Sequence, residues 1–143
     1  MRLKEAEIKG RGLIHGIAEG EALVTSQPIS FLGGVDPNTG LIIEKGHEIE
    51  GSSITRKILI FPHGKGSTVG SYTLFAMAKK GTKPSGIINC KTEPIIAAGC
   101  VIAQIPLIDK PEKDPIKEID TGDYVKINST DGLIKIIKKN NKK

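Results

Sequence analysis

Lys57-Ile58-Leu59-Ile60-Phe61-Pro62-His63-Gly64-Lys65-Gly66-Ser67-Thr68-Val69-Gly70-Ser71 is the stretch from which the fold is read. Four consecutive apolar residues, Ile58 to Phe61, predict a short strand buried on both faces, as in a parallel sheet covered on each side. Pro62 stops it. Gly64 and Gly66 allow a tight turn and a close backbone approach to a ligand. Ser67 or Thr68 can cap a helix running from about Thr68 to Lys80, where a hydroxyl lies beside unpaired N–H groups at the positive helix end. Strand, glycine turn and hydroxyl together make a place to hold an anion or a polar reacting group.

Working outward, the predicted helix is apolar on nearly every side (Val69, Tyr72, Leu74, Phe75, Ala76, Met77, Ala78) and is expected to be largely buried. Lys79 and Lys80 suit its last turn, Gly81 its C′ position, and Pro84 prevents continuation. Gly86 to Asn89 reads as a strand. Thr92 is expected to cap a short helix, with Glu93 and Pro94 in its first turn and Gly99 at its end, and Cys100 to Ile105 as a third strand. Strand–helix–strand–helix–strand predicts parallel strands with right-handed crossovers.

Outside this core, residues 1–12 read as charged and irregular with room for one strand, and Leu13 to Val24 as one extended run broken by glycines. Gly33-Gly34 and Asp36-Pro37-Asn38-Thr39-Gly40 are turn signals. Leu41 to Ile43 reads as a short strand, Glu44 to Thr55 as a polar connection and Asp109 to Glu118 as a surface loop. Tyr124–Asn128 and Leu133–Ile137 flank Ser129-Thr130-Asp131-Gly132 as a hairpin. No repeat or linker interrupts the chain, so residues 1–143 are expected to form one α/β domain with a parallel βαβαβ core and antiparallel additions.

Composition excludes several functions. With 38% hydrophobic and 26% charged residues the chain is of ordinary globular type. Its formal charge of +5 sits largely in Lys138, Lys139, Lys142 and Lys143, so the basic tail 138–143 reads as a solvated end and the body is near neutral. Three Phe and two Tyr, scattered, give no stacking platform for nucleic acid. No membrane-length apolar segment or leader is present, which predicts a cytoplasmic protein. Cys90 and Cys100 fall short of a cysteine-ligated zinc or iron–sulfur set and are expected to be buried and reduced.

His15 and His47 lack ligand spacing, so no metal site is predicted; His63 lies inside the turn and suits positioning. A phosphate-binding P-loop fails, because Leu59 stands where its first glycine belongs and Gly66 follows Lys65. A G-x-S-x-G hydrolase elbow fails as well. Ser67 remains, either as a helix cap alone or as a base or donor facing a substrate. A helix end contributes about 0.3–1 kcal/mol, against ~1.4 kcal/mol per pKa unit. It cannot activate a serine alone. Lys65, nearby N–H groups and a water-excluded pocket would have to do the rest.

Phe31-Leu32-Gly33-Gly34-Val35-Asp36-Pro37-Asn38-Thr39-Gly40, Gly51-Ser52-Ser53, Pro62 to Ser71 and Pro84-Ser85-Gly86-Ile87-Ile88 together resemble the aconitase X swivel-domain family, most strongly over residues 10–108. The resemblance implies a swivelling β/β/α fold like the mobile domain of aconitase. It implies a hydro-lyase that removes water from (R)-5-phosphomevalonate to give trans-anhydromevalonate 5-phosphate in the archaeal mevalonate route to isoprenoids. It implies Ser67 as proton acceptor, with substrate contacts at Gly64, Lys65, Gly66, Thr68, Gly33, Gly34, Asp36, Thr39 and Ser53. Aconitase has G-R-G-S-S-R at this turn. Here Lys65 replaces the first Arg, Thr68 the second Ser and Val69 the last Arg, so a carboxylate clamp is absent and the substrate should differ from citrate.

Dehydration of a β-hydroxy acid needs a base and a Lewis acid on the leaving hydroxyl. The resemblance assigns the latter to a [4Fe-4S] cluster on a separate large subunit. This chain is then expected to be folded but inactive by itself, half of a heterodimer. Dehydration of cis-3-hydroxy-L-proline by the same architecture, and a noncatalytic anion-binding module, are the competing readings.

Overall fold

The computed structural model describes residues 4–139, so the expected tail beyond 139 lies outside them. In chain order the elements are β1 (Glu5–Lys9), β2 (Arg11–Ile14), β3 (Ile17–Val24), α1 (Phe31–Gly34), β4 (Ile58–Phe61), α2 (Gly70–Lys80), β5 (Gly86–Asn89), α3 (Pro94–Ala103), β6 (Leu107–Asp109), α4 (Pro115–Glu118), β7 (Tyr124–Asn128) and β8 (Leu133–Ile137). The strands hydrogen-bond in the order β1-β8-β7-β3-β4-β5-β6-β2. β3 to β6 are parallel neighbours, and every other pairing is antiparallel.

All four side chains of β4 are buried, as its unbroken apolar run requires. The two-residue period of a strand sends Leu59 and Phe61 into a core shared with Leu74 and Met77 of α2 and Ile96 and Cys100 of α3. Ile58 and Ile60 face the other way, into a core shared with Val125, Ile127, Ile134 and Ile136 of the β7–β8 hairpin. Helices therefore cover one face of the parallel strands, and the antiparallel strands fold over the other. The result is three layers, β/β/α. Gly86 of β5 lets the sheet layers close up, since a Cβ there would lie 2.7 Å from Ile127 Cδ1. Only Gly10 separates β1 from β2, which sit at opposite ends of the strand order, so the sheet curls almost shut.

Several expectations change. The strand for which the charged N-terminal stretch had room forms as β1, its backbone paired with β8 and only Ile8 of its side chains buried, but the stretch also starts a second strand, β2, at Arg11. The extended run 13–24 is two strands, with His15-Gly16 between them carrying the chain from the β6 edge to the middle of the sheet. Leu41 to Ile43 makes isolated bridges to Ser53 and Val35 instead of a strand. The 109–118 loop holds buried Asp109 at the end of β6 and a single helical turn at Pro115–Glu118.

Helix α2 ends as expected, with Gly81 at φ +77, but begins at Gly70 and is only half buried. Val69, Tyr72 and Phe75 are exposed beside it or on it, at 47%, 64% and 40%. In α3 the cap is Glu93, and the helix runs through Gly99 to Ala103, so the third parallel strand is Leu107–Asp109 and not Cys100–Ile105. Gly99 is interior because α2 crosses directly over it: a Cβ there would sit 2.5 Å from Leu74 Cδ1. Lys138, expected in a solvated tail, instead donates to Asp123 Oδ2 at 2.6 Å and Asp120 Oδ2 at 3.2 Å. Both cysteines are free; Cys100 is buried and Cys90 partly so.

Candidate functional site

The turn after β4 is fastened from two sides. Ile29 bridges Gly64, its N–H donating to the His63 carbonyl at 3.3 Å while the Lys65 N–H donates to the Ile29 carbonyl at 3.0 Å. From the other side Glu93 accepts the N–H groups of Ile95 at 2.7 Å and Ile96 at 3.3 Å, capping α3, and that of Gly64 at 3.1 Å. Gly64 is buried beneath the turn, where a Cβ would meet Glu93 Oε1 at 2.5 Å and Ile96 Cγ1 at 2.6 Å. Its contribution is close packing. Exposed His63 closes the turn by donating from Nδ1 to the Gly64 carbonyl at 2.8 Å.

Gly66 takes φ +91, a left-handed conformation, with no room for a Cβ against Ser30 Oγ. Ser67 and Thr68 follow, both exposed. Ser67 does not cap the first turn of α2 in the expected way. Its hydroxyl accepts the Val69 N–H at 3.1 Å and its carbonyl accepts the Gly70 N–H at 2.9 Å, a serine turn leading into the helix. The N–H groups of Gly66, Ser67 and Thr68 find no acceptor among the described residues. Three successive donors at the positive end of an eleven-residue helix suit an anion.

Opposite the turn, α1 is kinked, with Leu32 extended and Gly33 at φ +85. Between them lies a cleft of about 430 Å³ lined by Ser30, Leu32, Gly33, Gly34, Glu44, Lys65 and Gly66. Lys65 Nζ donates to Glu44 Oε2 at 3.1 Å across this wall. The fold thus brings Gly33, Gly34, Lys65 and Gly66 together, with Ser67 and Thr68 next in the chain.

Asp36, Thr39 and Ser53 are placed elsewhere. Asp36 Oδ1 accepts the Asn38 N–H at 2.9 Å, Thr39 Oγ1 the Leu41 N–H at 3.3 Å, and Ser53 Oγ the Thr55 N–H at 3.2 Å. The Asp36–Gly40 turn is tied through Pro37 O to the Thr82 hydroxyl at 2.6 Å, just past the far end of α2. The eleven residues of α2 span roughly 16 Å. These side chains shape turns and do not line the cleft.

Sequence reasoning missed Ser30, Glu44 and Glu93. Glu93 was accessible, because Pro94 at the first helical position places the cap one residue earlier. Glu44 carries no local signal; only the tertiary fold brings it to Lys65.

Among the described residues no three His, Cys, Asp or Glu side chains gather as a metal site. Burial, reinforced by Glu93, pushes the Cys100 thiol far above its ordinary range, and it faces the helix core. These two cysteines do not fit an iron–sulfur cluster. Buried His47 is a structural residue, donating from Nε2 to the Pro28 carbonyl at 3.0 Å and accepting the Ile49 N–H at Nδ1. No described helix is long and apolar enough to cross a membrane.

The aconitase X swivel domain matches residues 7–136. The phosphomevalonate dehydratase small subunit of Methanosarcina acetivorans is 51% identical over 132 residues, 92% of each chain. That of Pyrococcus furiosus is 50% identical over 131 residues, covering 92% of this chain and 96% of its own. A crystal structure of Thermococcus kodakaraensis aconitase X in its holo form superposes with a TM-score of 0.88 at 42% identity, over 93% of this chain and 99% of that one. With its three-layer architecture and glycine-turn serine, this chain belongs to the aconitase X swivel-domain family.

Proposed function

We propose that this chain is the small subunit of a two-chain hydro-lyase that removes water from (R)-5-phosphomevalonate, giving trans-anhydromevalonate 5-phosphate in the archaeal mevalonate route to isoprenoids. Relatives of about half-identical sequence over nearly the whole chain carry the name phosphomevalonate dehydratase small subunit. That favours this substrate over cis-3-hydroxy-L-proline, and an enzyme over a noncatalytic anion-binding module. The observation that carries the reading is an exposed Ser67 hydroxyl beside an anion-suited turn and a cleft open on one side.

Ser67 Oγ, as the alkoxide, takes the proton from the carbon next to the substrate carboxylate and becomes a hydroxyl. The C–H pair forms the C=C bond, and the neighbouring hydroxyl leaves with its bonding pair. The proton is later given up to it, so that the two depart as water. Gly66, Ser67 and Thr68 N–H groups and the Lys65 ammonium hold negative charge near that oxygen, with Gly33 and Gly34 forming the facing wall. Gly64 supports the turn from below. Asp36, Thr39 and Ser53 act at a distance by fixing the loop that carries that wall. A [4Fe-4S] cluster, held by the large partner and not by the two cysteines of this chain, would supply the Lewis acid for the departing hydroxyl. The same partner covers the cleft, and the exposed apolar residues Leu32 on its wall and Val69, Tyr72 and Phe75 at the start of α2 and along it suit contact with another cytoplasmic protein.

The test is reconstitution. The chain alone should not turn over phosphomevalonate, and adding its large partner should start dehydration of phosphomevalonate in preference to cis-3-hydroxy-L-proline. Preference for hydroxyproline, or tight phosphate binding with no partner and no turnover, would replace this reading by one of the other two.

A further inference from the structure

The segment after β3 reaches the Ser67 turn by leaving the ladder and rejoining it. The Thr25 N–H still donates to the Ile60 carbonyl of β4, at 3.0 Å. Ile29 rejoins, its N–H donating to the His63 carbonyl at 3.3 Å and its carbonyl accepting the Lys65 N–H at 3.0 Å. In between, side chains stand in for the neighbouring strand. The Ser26 N–H goes to Glu48 Oε1 at 2.7 Å and the Gln27 N–H to the Thr25 hydroxyl at 3.1 Å. The Pro28 carbonyl accepts from Nε2 of buried His47 at 3.0 Å.

That last bond reaches the site through a single peptide. The Pro28–Ile29 unit is trans and planar, so its carbonyl and its N–H point opposite ways off one rigid plane. His47 holds the carbonyl end, and the N–H end holds His63. The ring is itself fixed, because Nδ1 accepts the Ile49 N–H at 3.2 Å. Only the tautomer with its proton on Nε2 makes both bonds. Next along the chain, Ser30 Oγ lies where a Cβ on Gly66 would come within 2.5 Å of it. Turning the plane would carry the Ile29 N–H off the His63 carbonyl and shift Ser30 beneath Gly66.

We propose that His47 is a positioning residue for the reaction, setting through the Pro28–Ile29 peptide where the turn presents Ser67. Without its donor the plane is free to turn, and Glu93 at the Gly64 N–H becomes the firmer of the turn's two holds. A reacting group misplaced by about 1 Å loses rate on the order of 10²-fold. This rests on the reading of Ser67 as proton acceptor and adds to it the residue that aims the serine.

Two variants separate the ring's bonds. Asn puts an acceptor near the place of Nδ1, and Gln puts a donor near the place of Nε2. His47→Asn therefore keeps the Ile49 bond and loses the Pro28 bond, and His47→Gln does the reverse. In the reconstituted two-chain enzyme, His47→Asn should lower kcat by at least about tenfold, with KM changing less. His47→Gln should recover most of that rate, although it too has lost one hydrogen bond. A loss of stability alone would treat the two variants alike.

NMR of the full chain reads the same clasp without activity. Measured against the amides of β4, hydrogen exchange at Ile29 should speed by at least about threefold in His47→Asn and stay as in the parent in His47→Gln. Ile49 should show the reverse. The amide signals of Gly64, Gly66 and Ser67 should move in His47→Asn and stay near the parent in His47→Gln. In the parent, the ring-nitrogen shifts of His47 should show the proton on Nε2, and the Ile29 amide should be protected; these two decide if His47→Asn does not fold. An active Ser67→Ala enzyme would sink the serine reading while the turn amides still report on His47. Equal kcat in the Asn and Gln variants, turn amides unmoved by His47→Asn, or a parent ring protonated on Nδ1 would overturn the proposal.

Discussion

Glu93 Oε1 accepts the N–H of Gly64 at 3.1 Å while the same carboxylate caps α3. One side chain therefore fixes both the start of a core helix and the turn that presents Ser67. Losing an N-cap acceptor costs about 0.5–2 kcal/mol, and a buried N–H left unpaired costs about 1–3 kcal/mol. Glu93→Ala should lower unfolding stability by about 2–3 kcal/mol on combining these, read from urea midpoints at unchanged m-value. It should also cut activity of the reconstituted enzyme by more than the unfolded fraction explains. A stability loss confined to a few tenths of a kcal/mol would show that the bridge to Gly64 is unimportant.

Much of this arrangement could be read from residues alone, and the failures share a cause. β4, β5 and the terminal hairpin were legible because their apolar pattern and turn chemistry agree with their burial. Cys100 to Ile105 was not, because a short apolar run suits a buried strand and a buried helix equally. Gly99 looked like a stop, yet it marks the crossing of α2 over α3, a tertiary requirement. Val69, Tyr72 and Phe75 looked like core, yet nothing in this chain covers them among the described residues. At the site, the contiguous turn Gly64–Thr68 was legible, whereas Glu44 and Ser30 reach it only through the folding of a distant loop.

Acid stability should follow two carboxylates remote from the cleft. Burial opposes ionisation of Asp109, but the Arg11 fork, at 2.9 Å to each oxygen, and the Thr92 N–H at 2.8 Å outweigh it and hold its pKa below the ordinary 3.8. Asp123 is likewise opposed by burial and held low by Lys138 and the N–H groups of Lys139 and Asp120. A depressed folded pKa means the unfolded chain protonates first. The stabilisation is therefore complete above the ordinary value and is lost as pH falls below about 4 toward the folded values. Urea unfolding from pH 7 to pH 3 should show this decline, and Asp109→Asn and Asp123→Asn should each be less stable at pH 7 with a shallower acid slope. Slopes identical to the parent chain would place the acid sensitivity elsewhere.

Ser67 offers the sharpest separation of chemistry from structure. Its side chain is exposed and its one hydrogen bond, from the Val69 N–H, lies in a solvated turn. Removing the hydroxyl should therefore cost stability no more than a weak cap, about 1 kcal/mol or less. Removing a proton acceptor costs far more in rate, about 10²–10⁴-fold. Ser67→Ala should thus lower kcat of the reconstituted enzyme by at least about 100-fold, with pairing to the large partner unchanged by size-exclusion chromatography. Ser67→Thr, which keeps a hydroxyl, should retain measurably more turnover than the alanine variant. Turnover in Ser67→Ala within a few-fold of the parent would remove this residue from the chemistry and leave it a turn residue, because no folding defect could then be masking the result.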